Sequence, residues 1–324
     1  MVDSPRGVRF LFLEVNLLAV GVQLHNPISV MFFIDENYAR PLSVCIRSLL
    51  DNADPDDVIA ATVITIGIGE EVKSALAASW DLRHHSVEFI DMPIDSLLGL
   101  PPHSCYGPTI GGHLNRTVYA CLLAPLLVDD EICRAVLLDA DTLVLGSLRA
   151  LRDHDLGGHP IGAVVDPHIP TIGDHYGVQM WRELGLDGDA PYVNSGVILA
   201  DFTRWRELSV TERALHYLNT YFDRVACFEQ EALNAVLAGD IQFLDGRWNT
   251  FNFWGLPEGN GAVGDRLLAN PVIRHFEAKM KPWFQPDVDF PHFEAYAKVD
   301  YLCVQSRNHH GAPPLPWPKR PQTP

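Results

Sequence analysis

The stretch AVLLDADTLVLGSL spans Ala135–Leu148, and the rest of the chain is read outward from it. An apolar run, Ala135–Leu138, ends in two acids separated by one residue, Asp139 and Asp141. Short apolar runs of this kind read as buried strands. A carboxylate at the mouth of a buried strand is costly unless something matches its charge. Two of them at one strand end suggest a bound cation.

The same grammar recurs upstream. Pro27–Ile34 is apolar and stops at Asp35-Glu36-Asn37, which predicts a strand and an acidic loop. Leu42, Cys45, Ile46, Leu49 and Leu50 then recur at helical spacing, so Pro41–Asp51 reads as a helix opened by proline. Ala61–Ile68 predicts a strand, Glu70–Trp80 a helix, Val87–Ile90 a strand and Arg116–Val128 a helix. This alternation implies βαβ units, a mostly parallel sheet and helices on both of its sides. Ligands in such sheets bind beyond the carboxyl ends of the strands, which is where Asp35 and Asp139 fall. In the second half, Ile161–Val165, Tyr192–Ala200, Ile241–Leu244 and Val272–His275 read as strands, and Phe228–Ala238 as a helix opening on Glu229-Gln230-Glu231.

Composition narrows the partners. The 324 residues carry 41 acids against 24 bases, a net charge of −17, which disfavours a nucleic-acid partner or adhesion to an anionic membrane. Six scattered cysteines form no C-x-x-C pair and read as reduced thiols of a cytoplasmic protein. The apolar segment Arg9–Val22 is broken by Glu14 and Asn16 and is too short for a membrane span of about 20 residues. The expected organisation is an N-terminal extension over 1–25, one domain over 26–305, and a loose tail over 306–324 rich in Pro, His and Gly.

Three readings compete for Asp139-Ala140-Asp141. The plainest is a solvated turn. The second is a phosphohydrolase of haloacid-dehalogenase type, with Asp139 as nucleophile and Asp240 or Asp245 as later acids; three strand-helix units before the pair count against it. The third is a clamp in which Mn²⁺ or Mg²⁺ holds a diphosphate, since hard cations prefer oxygen ligands. A clamp needs a further ligand. His275 closes a strand and is followed by Lys281-Pro282-Trp283, where Lys281 supplies a point charge for phosphate. A histidine ligand favours Mn²⁺ over Mg²⁺.

Several motifs now stand in order: Asp35-Glu-Asn-Tyr38, Asp139-Ala-Asp141, Asp166 after a strand, Tyr192-Val-Asn-Ser-Gly-Val197, Phe228-Glu-Gln-Glu-Ala-Leu-Asn234, Arg247-Trp-Asn249 and His275…Lys281-Pro-Trp283. Together, over about Ser29–Trp283, they resemble family 8 glycosyltransferases, the group of lipopolysaccharide galactosyl- and glucosyltransferases, glycogenin and galactinol synthase. The resemblance implies an α/β nucleotide-diphospho-sugar transferase fold of GT-A type. It also implies a UDP-sugar donor, a hydroxyl acceptor, Mn²⁺ and retention of anomeric configuration. It makes Asp139, Asp141 and His275 the metal ligands. Asp35, Asn37 and Tyr38 would contact uracil and ribose, Ala140 would lie beside the nucleotide, and Lys281 would hold the diphosphate. Asp166, Asn194, Glu229 and Gln230 would face the donor sugar, with Gln230 at the anomeric carbon. Three positions depart from the family pattern: Cys121 stands for the usual Arg, Glu229 for Asp, and Ala278 for Gly. A catalytically degenerate sugar-nucleotide-binding protein is the rival that Cys121 favours. The acceptor class and the oligomeric state are left open by the sequence.

Overall fold

Ile28-Ser-Val-Met-Phe-Phe-Ile34 forms the first strand, β1 (Ile28–Ile34), and its near-continuous burial marks a strand covered on both faces. The computed structural model describes residues 27–102, 104–105, 116–251, 268–277 and 281–318. The proposed extension over 1–25 and the position Ala278 lie outside them.

Eight further strands follow: β2 (Ile59–Thr65), β3 (Ser86–Asp91), β4 (Arg134–Leu138), β5 (Thr142–Val144), β6 (Ile161–Val165), β7 (Val193–Asp201), β8 (Ile241–Phe243) and β9 (Ile273–His275). The described helices are α1 (Ala39–Asp51), α2 (Glu70–Ala77), α3 (Arg149–Arg152), α4 (Phe202–Glu207), α5 (Val210–Thr220), α6 (Phe228–Val236) and α7 (Phe293–His309). Seven strands make one sheet in the order β3-β2-β1-β4-β7-β6-β8, parallel except for β7. Val30, Phe32 and Ile34 pack with α1 and α2 on one face. Met31 and Ile64 pack with α4, α5 and α6 on the other.

The order places the site. From β1 the chain steps outward through β2 to β3, then returns to add β4 on the other side of β1. This reversal opens a crevice beyond the carboxyl ends of β1 and β4, where a sheet of this kind takes its ligand. Asp35 and Asp139 follow those two ends directly.

Some elements differ from the sequence reading. α1 starts at Ala39, and Pro41 sits in its first turn, where an N–H would have no partner. Arg116–Leu126 coils as 3₁₀ turns, with Pro125 inside it removing a donor. The strand β5, only three residues long, follows Asp141 with no turn signal, and the sequence pattern predicts no element there.

The largest difference is at the C-terminus. α7 crosses the expected domain limit at 305, and the chain beyond Ser306 is packed rather than loose through Trp317. Cys303 and Arg307 are buried; Arg307 donates to Ser79 Oγ at 2.8 Å. Leu315 is 2% exposed, Trp317 stacks on Trp283 with ring centroids 6.0 Å apart, and the Arg40 guanidinium lies 3.7 Å over the Trp317 ring. Aromatic stacking and cation–π contact hold a Pro-rich strap that composition alone reads as solvated. Leu315→Ala is expected to cost about 2 kcal/mol, the lower end for a buried leucine, measured as a shift in urea midpoint at unchanged m.

Candidate functional site

The crevice is a cleft of about 320 Å³ whose walls include Asp35, Tyr38, Cys121, Asp139, Ala140, Asp141, Asn194, Glu229, Gln230, His275 and Lys281. That size lies at the low end for small-molecule sites.

Its floor is made by two short strands. Asp139 leaves β4 with its N–H bonded to Gly196 O at 2.9 Å. One residue after Asp141, β5 begins and pairs antiparallel with β9, so that Thr142 faces His275. The ladder continues as Phe276 N–H donates to Asp141 O at 3.0 Å. The imidazole therefore lies against both acids. His275 Nε2 is 3.3 Å from Asp141 Oδ1 and 3.7 Å from Asp139 Oδ2. One donor atom from each of the three residues lies within 4.8 Å of the others. Lys281 forms an ion pair with the second oxygen of Asp141.

This is a crowded electrostatic arrangement. Desolvation at the cleft floor pushes the Asp139 carboxyl upward, with the Asp141 charge adding to it, an effect moderated by the 57% exposure of its side chain. Burial also opposes ionisation of Asp141, but the Lys281 and His275 charges outweigh it and hold that carboxyl well below its ordinary value. Burial works against the Lys281 and His275 charges, and Asp141 raises both groups' pKa in spite of it. Two carboxylate oxygens and an imidazole nitrogen at this spacing suit a hard or borderline divalent cation.

Gly196 is what lets the imidazole in. A Cβ at that position would lie 2.3 Å from His275 Cε1 and 2.9 Å from Asp139 Oδ2. Nearby, the β6–β7 ladder passes from Ala163↔Ile198 to Val165↔Val193, an irregularity that covers Asn194-Ser195-Gly196.

The other wall comes from the start of α6. Phe228 holds φ 48°, a left-handed conformation rare for a bulky residue, at the point where Glu229 and Gln230 enter the cleft. Gln230 Oε1 accepts from Asn194 Nδ2 at 2.9 Å and from Ser195 N at 3.1 Å. Glu229 Oε1 accepts from Ser195 Oγ at 3.1 Å, while its Oε2 is buried without a hydrogen-bond partner among the described residues. Burial pushes this carboxyl up to about 8, helped by the Asp139 charge.

Not every expected residue faces the cleft. Asp166 is buried behind it, accepting from Asn194 Nδ2 at 3.1 Å and Gln230 Nε2 at 3.2 Å. Asn37 is exposed and outside the cleft lining; its backbone N–H donates to Asp35 Oδ1 at 2.9 Å, so Asp35 caps the 3₁₀ turn Glu36–Tyr38. Tyr38 lines the cleft and packs edge-on to Trp283 with centroids 6.5 Å apart. The later acids of the phosphohydrolase reading stay away from the cleft. Asp240 pairs with His159 at 2.7 Å, and Asp245 caps the turn at Gly246–Trp248. Asn249 is the residue whose chemistry the sequence reading left unassigned: it hydrogen-bonds both His275 and Asn194. Its signal was the Arg247-Trp-Asn249 motif, which shows no partner in one dimension.

The model of glycosyl transferase family 8 matches residues 29–286. The chain belongs to glycosyl transferase family 8. General stress protein A of Bacillus subtilis (strain 168) is 28% identical over 290 residues, covering 87% of this chain and 95% of that protein. Lipopolysaccharide 1,2-glucosyltransferase of Escherichia coli (strain K12) is 27% identical, covering 87% and 78%. Among solved structures, galactosyltransferase LgtC in complex with donor and acceptor sugar analogs superimposes with a TM-score of 0.68 at 25% identity, covering 86% of this chain and 96% of that one. The seven-stranded sheet with flanking helices is accordingly the GT-A fold of a family 8 glycosyltransferase. No helix among the described residues is long and apolar enough to cross a membrane.

Two outcomes test this geometry. Gly196→Ala is expected to leave the circular dichroism spectrum unchanged while displacing the His275 imidazole, read as a shift of its ring resonances in the nuclear magnetic resonance spectrum. For Glu229, the folded carboxyl retains its proton between its ordinary 4.5 and about 8, where the unfolded chain has lost it. Raising pH through that window therefore withdraws stability. Glu229→Gln escapes this loss, so its melting temperature should gain on the parent's as pH rises from about 4.5 to about 8, in metal-free protein.

Proposed function

We propose that the protein transfers a hexose from a UDP-sugar to a hydroxyl acceptor with retention of configuration, using a divalent cation, Mn²⁺ in preference to Mg²⁺. The observation that carries this reading is the meeting of Asp139, Asp141 and His275 on the floor of a cleft in a family 8 chain. These three residues would hold the ion, which when bound supplies positive charge to a departing diphosphate.

The chain's own groups do the rest. Tyr38 and Asp35 form the end of the cleft assigned to uracil and ribose, and Ala140, nearly buried, gives the nucleotide a flat floor between the acids. Lys281 is a cation that a leaving phosphate can recruit, since its ion pair among the described residues is with Asp141, a ligand of the proposed metal site. Charge developing on the phosphate then meets a preset positive group, which is electrostatic catalysis. Asn194, Glu229 and Gln230 form the end assigned to the donor sugar, with Asp166 bracing the two amides from behind. A protonated Glu229 would donate to a sugar hydroxyl through its unpartnered oxygen.

Retention needs either a nucleophile on the far face of the sugar or attack from the same face as departure. The Gln230 amide oxygen is a weak nucleophile, and its lone pairs already accept from Asn194 and Ser195. A same-face route follows, in which the leaving phosphate takes the acceptor's proton. The protein would act in the cytoplasm, on an acceptor such as a cell-surface glycan.

A panel of UDP-sugars with Mn²⁺, read by thermal shift and UDP release, tests the whole. Expected are metal-dependent release of UDP, its loss on chelation, and a fall of about 10²-fold in kcat for Lys281→Ala, the scale of removing one preset charge-stabilising group. Binding without any UDP release would instead favour a sugar-nucleotide-binding protein, the reading to which Cys121 in the cleft wall points. Absence of UDP-sugar binding would overturn both.

A further inference from the structure

The polar side chains behind the cleft are not independent contacts. Their hydrogen bonds form one chain with a fixed direction, set by groups that can only donate or only accept. The Gly196 backbone N–H donates to Asn194 Oδ1 at 2.9 Å, which fixes that atom as the oxygen of the amide. The Ser195 N–H donates to Gln230 Oε1 at 3.1 Å and fixes that amide in the same way. Asp166, whose Oδ1 takes the backbone N–H groups of His168 and Ile169 at 2.8 and 3.1 Å, accepts through Oδ2 from both amides. Asn194 is thus held from both ends: oxygen towards Gly196, nitrogen towards Asp166 and Gln230.

The direction now propagates. Asn194 Oδ1 takes a second hydrogen bond, from Asn249 at 2.9 Å, so the Asn249 atom facing it is the NH₂. The other atom of that amide, Oδ1, is left facing His275 Nδ1 at 3.0 Å. An amide oxygen can only accept, so Nδ1 carries the proton. The lone pair of the neutral ring then sits on Nε2, the atom 3.3 Å from Asp141 Oδ1 and 3.7 Å from Asp139 Oδ2. Asn249 is 1% exposed and His275 3%, so water has little access to replace either bond.

We propose that Asn249, oriented through Asn194, is a positioning residue that locks the His275 imidazole with its proton on Nδ1 and its donor atom Nε2 aimed at the cation site. The same chain runs unbroken to Asp166 and Gln230. The ring that would grip the metal and the amide that would face the donor sugar are therefore held by one relay. This inference rests on the metal site of the proposed function, but its primary test needs neither metal nor sugar.

In metal-free protein labelled with ¹⁵N-histidine, at alkaline pH where the ring is neutral, the His275 resonances are identified by their loss in His275→Gln. Nδ1 should appear as the protonated nitrogen and Nε2 as the bare one; the opposite assignment overturns the proposal. With Mn²⁺ alone, read by electron paramagnetic resonance, Asn249→Ala should weaken binding about 10- to 100-fold, the usual effect of removing a group that orients a metal-binding histidine. Asn249→Asp keeps an acceptor for Nδ1–H and should bind Mn²⁺ at least as tightly as the parent. A residue that merely fills space would not show that rescue. Parent-like Mn²⁺ affinity in Asn249→Ala, or equal losses in both variants, would overturn the proposal. Should Asn249→Ala fail to fold, the tautomer in the parent chain decides. If the parent binds no Mn²⁺ at all, the metal reading falls, and the ring assignment still settles whether the relay sets the tautomer.

Discussion

The site depends on one short ladder, the pairing of three residues of β5 with three of β9. Neither segment is long enough to stand alone, since an isolated two-stranded ribbon is marginal in water. It persists because both strands are walled by apolar packing: Leu143 against Phe276 on one side, Val144 and Ile273 against the α1 face of the sheet on the other. That packing sets the register, and the register sets Thr142 opposite His275. A slip by one residue would turn the imidazole to the opposite face. The metal-site geometry is thus a consequence of core packing rather than of any attraction among the three polar groups. Two acids by themselves would repel.

The charges at the cleft explain how an acidic protein can be suited to an anionic nucleotide. The net charge of −17 is unfavourable for phosphate at long range. Close to the floor the balance changes. Asp139 and Asp141 face His275 and the buried Lys281, which is 2% exposed, and a divalent cation added there would tip the local charge to positive. In a site with little water such a reversal acts strongly over a few ångströms. The same low polarity keeps Glu229 protonated towards neutrality, so the sugar end is polar without being strongly charged.

The C-terminal strap ties this floor to the far end of the chain. Trp283, two residues beyond Lys281, is stacked under Trp317 and lies against Tyr296 of α7, while Tyr38 meets its edge. The segment from Lys281 to Trp283 is therefore held at Trp283 by aromatic surfaces from three distant segments. A lysine on a free loop would lose more entropy on meeting a phosphate than one already ordered.

The sequence by itself determined the alternation of buried strands and helices, the acids at the ends of β1 and β4, and the candidacy of His275. Each is a local pattern: an apolar run ending in charge is visible wherever the strand is covered on both faces. The ordered series of motifs carried the family resemblance as well. Only the tertiary structure decided what was non-local. Three-residue β5 has no periodicity to read. α7 buries only Phe293, Tyr296, Cys303 and Arg307 along its length, a stripe too sparse to announce a helix, and so the strap after it read as a loose tail. Asp166 reads in sequence as an acid at a strand end, and only the fold shows that its oxygens accept from the backbone N–H groups of His168 and Ile169 and from the amides of Asn194 and Gln230. The Asn194–Asn249–His275 chain joins residues 55 and 26 positions apart. Hydrogen-bond direction is a property of which donors and acceptors meet in space, and a linear sequence lists the groups without saying which of them meet.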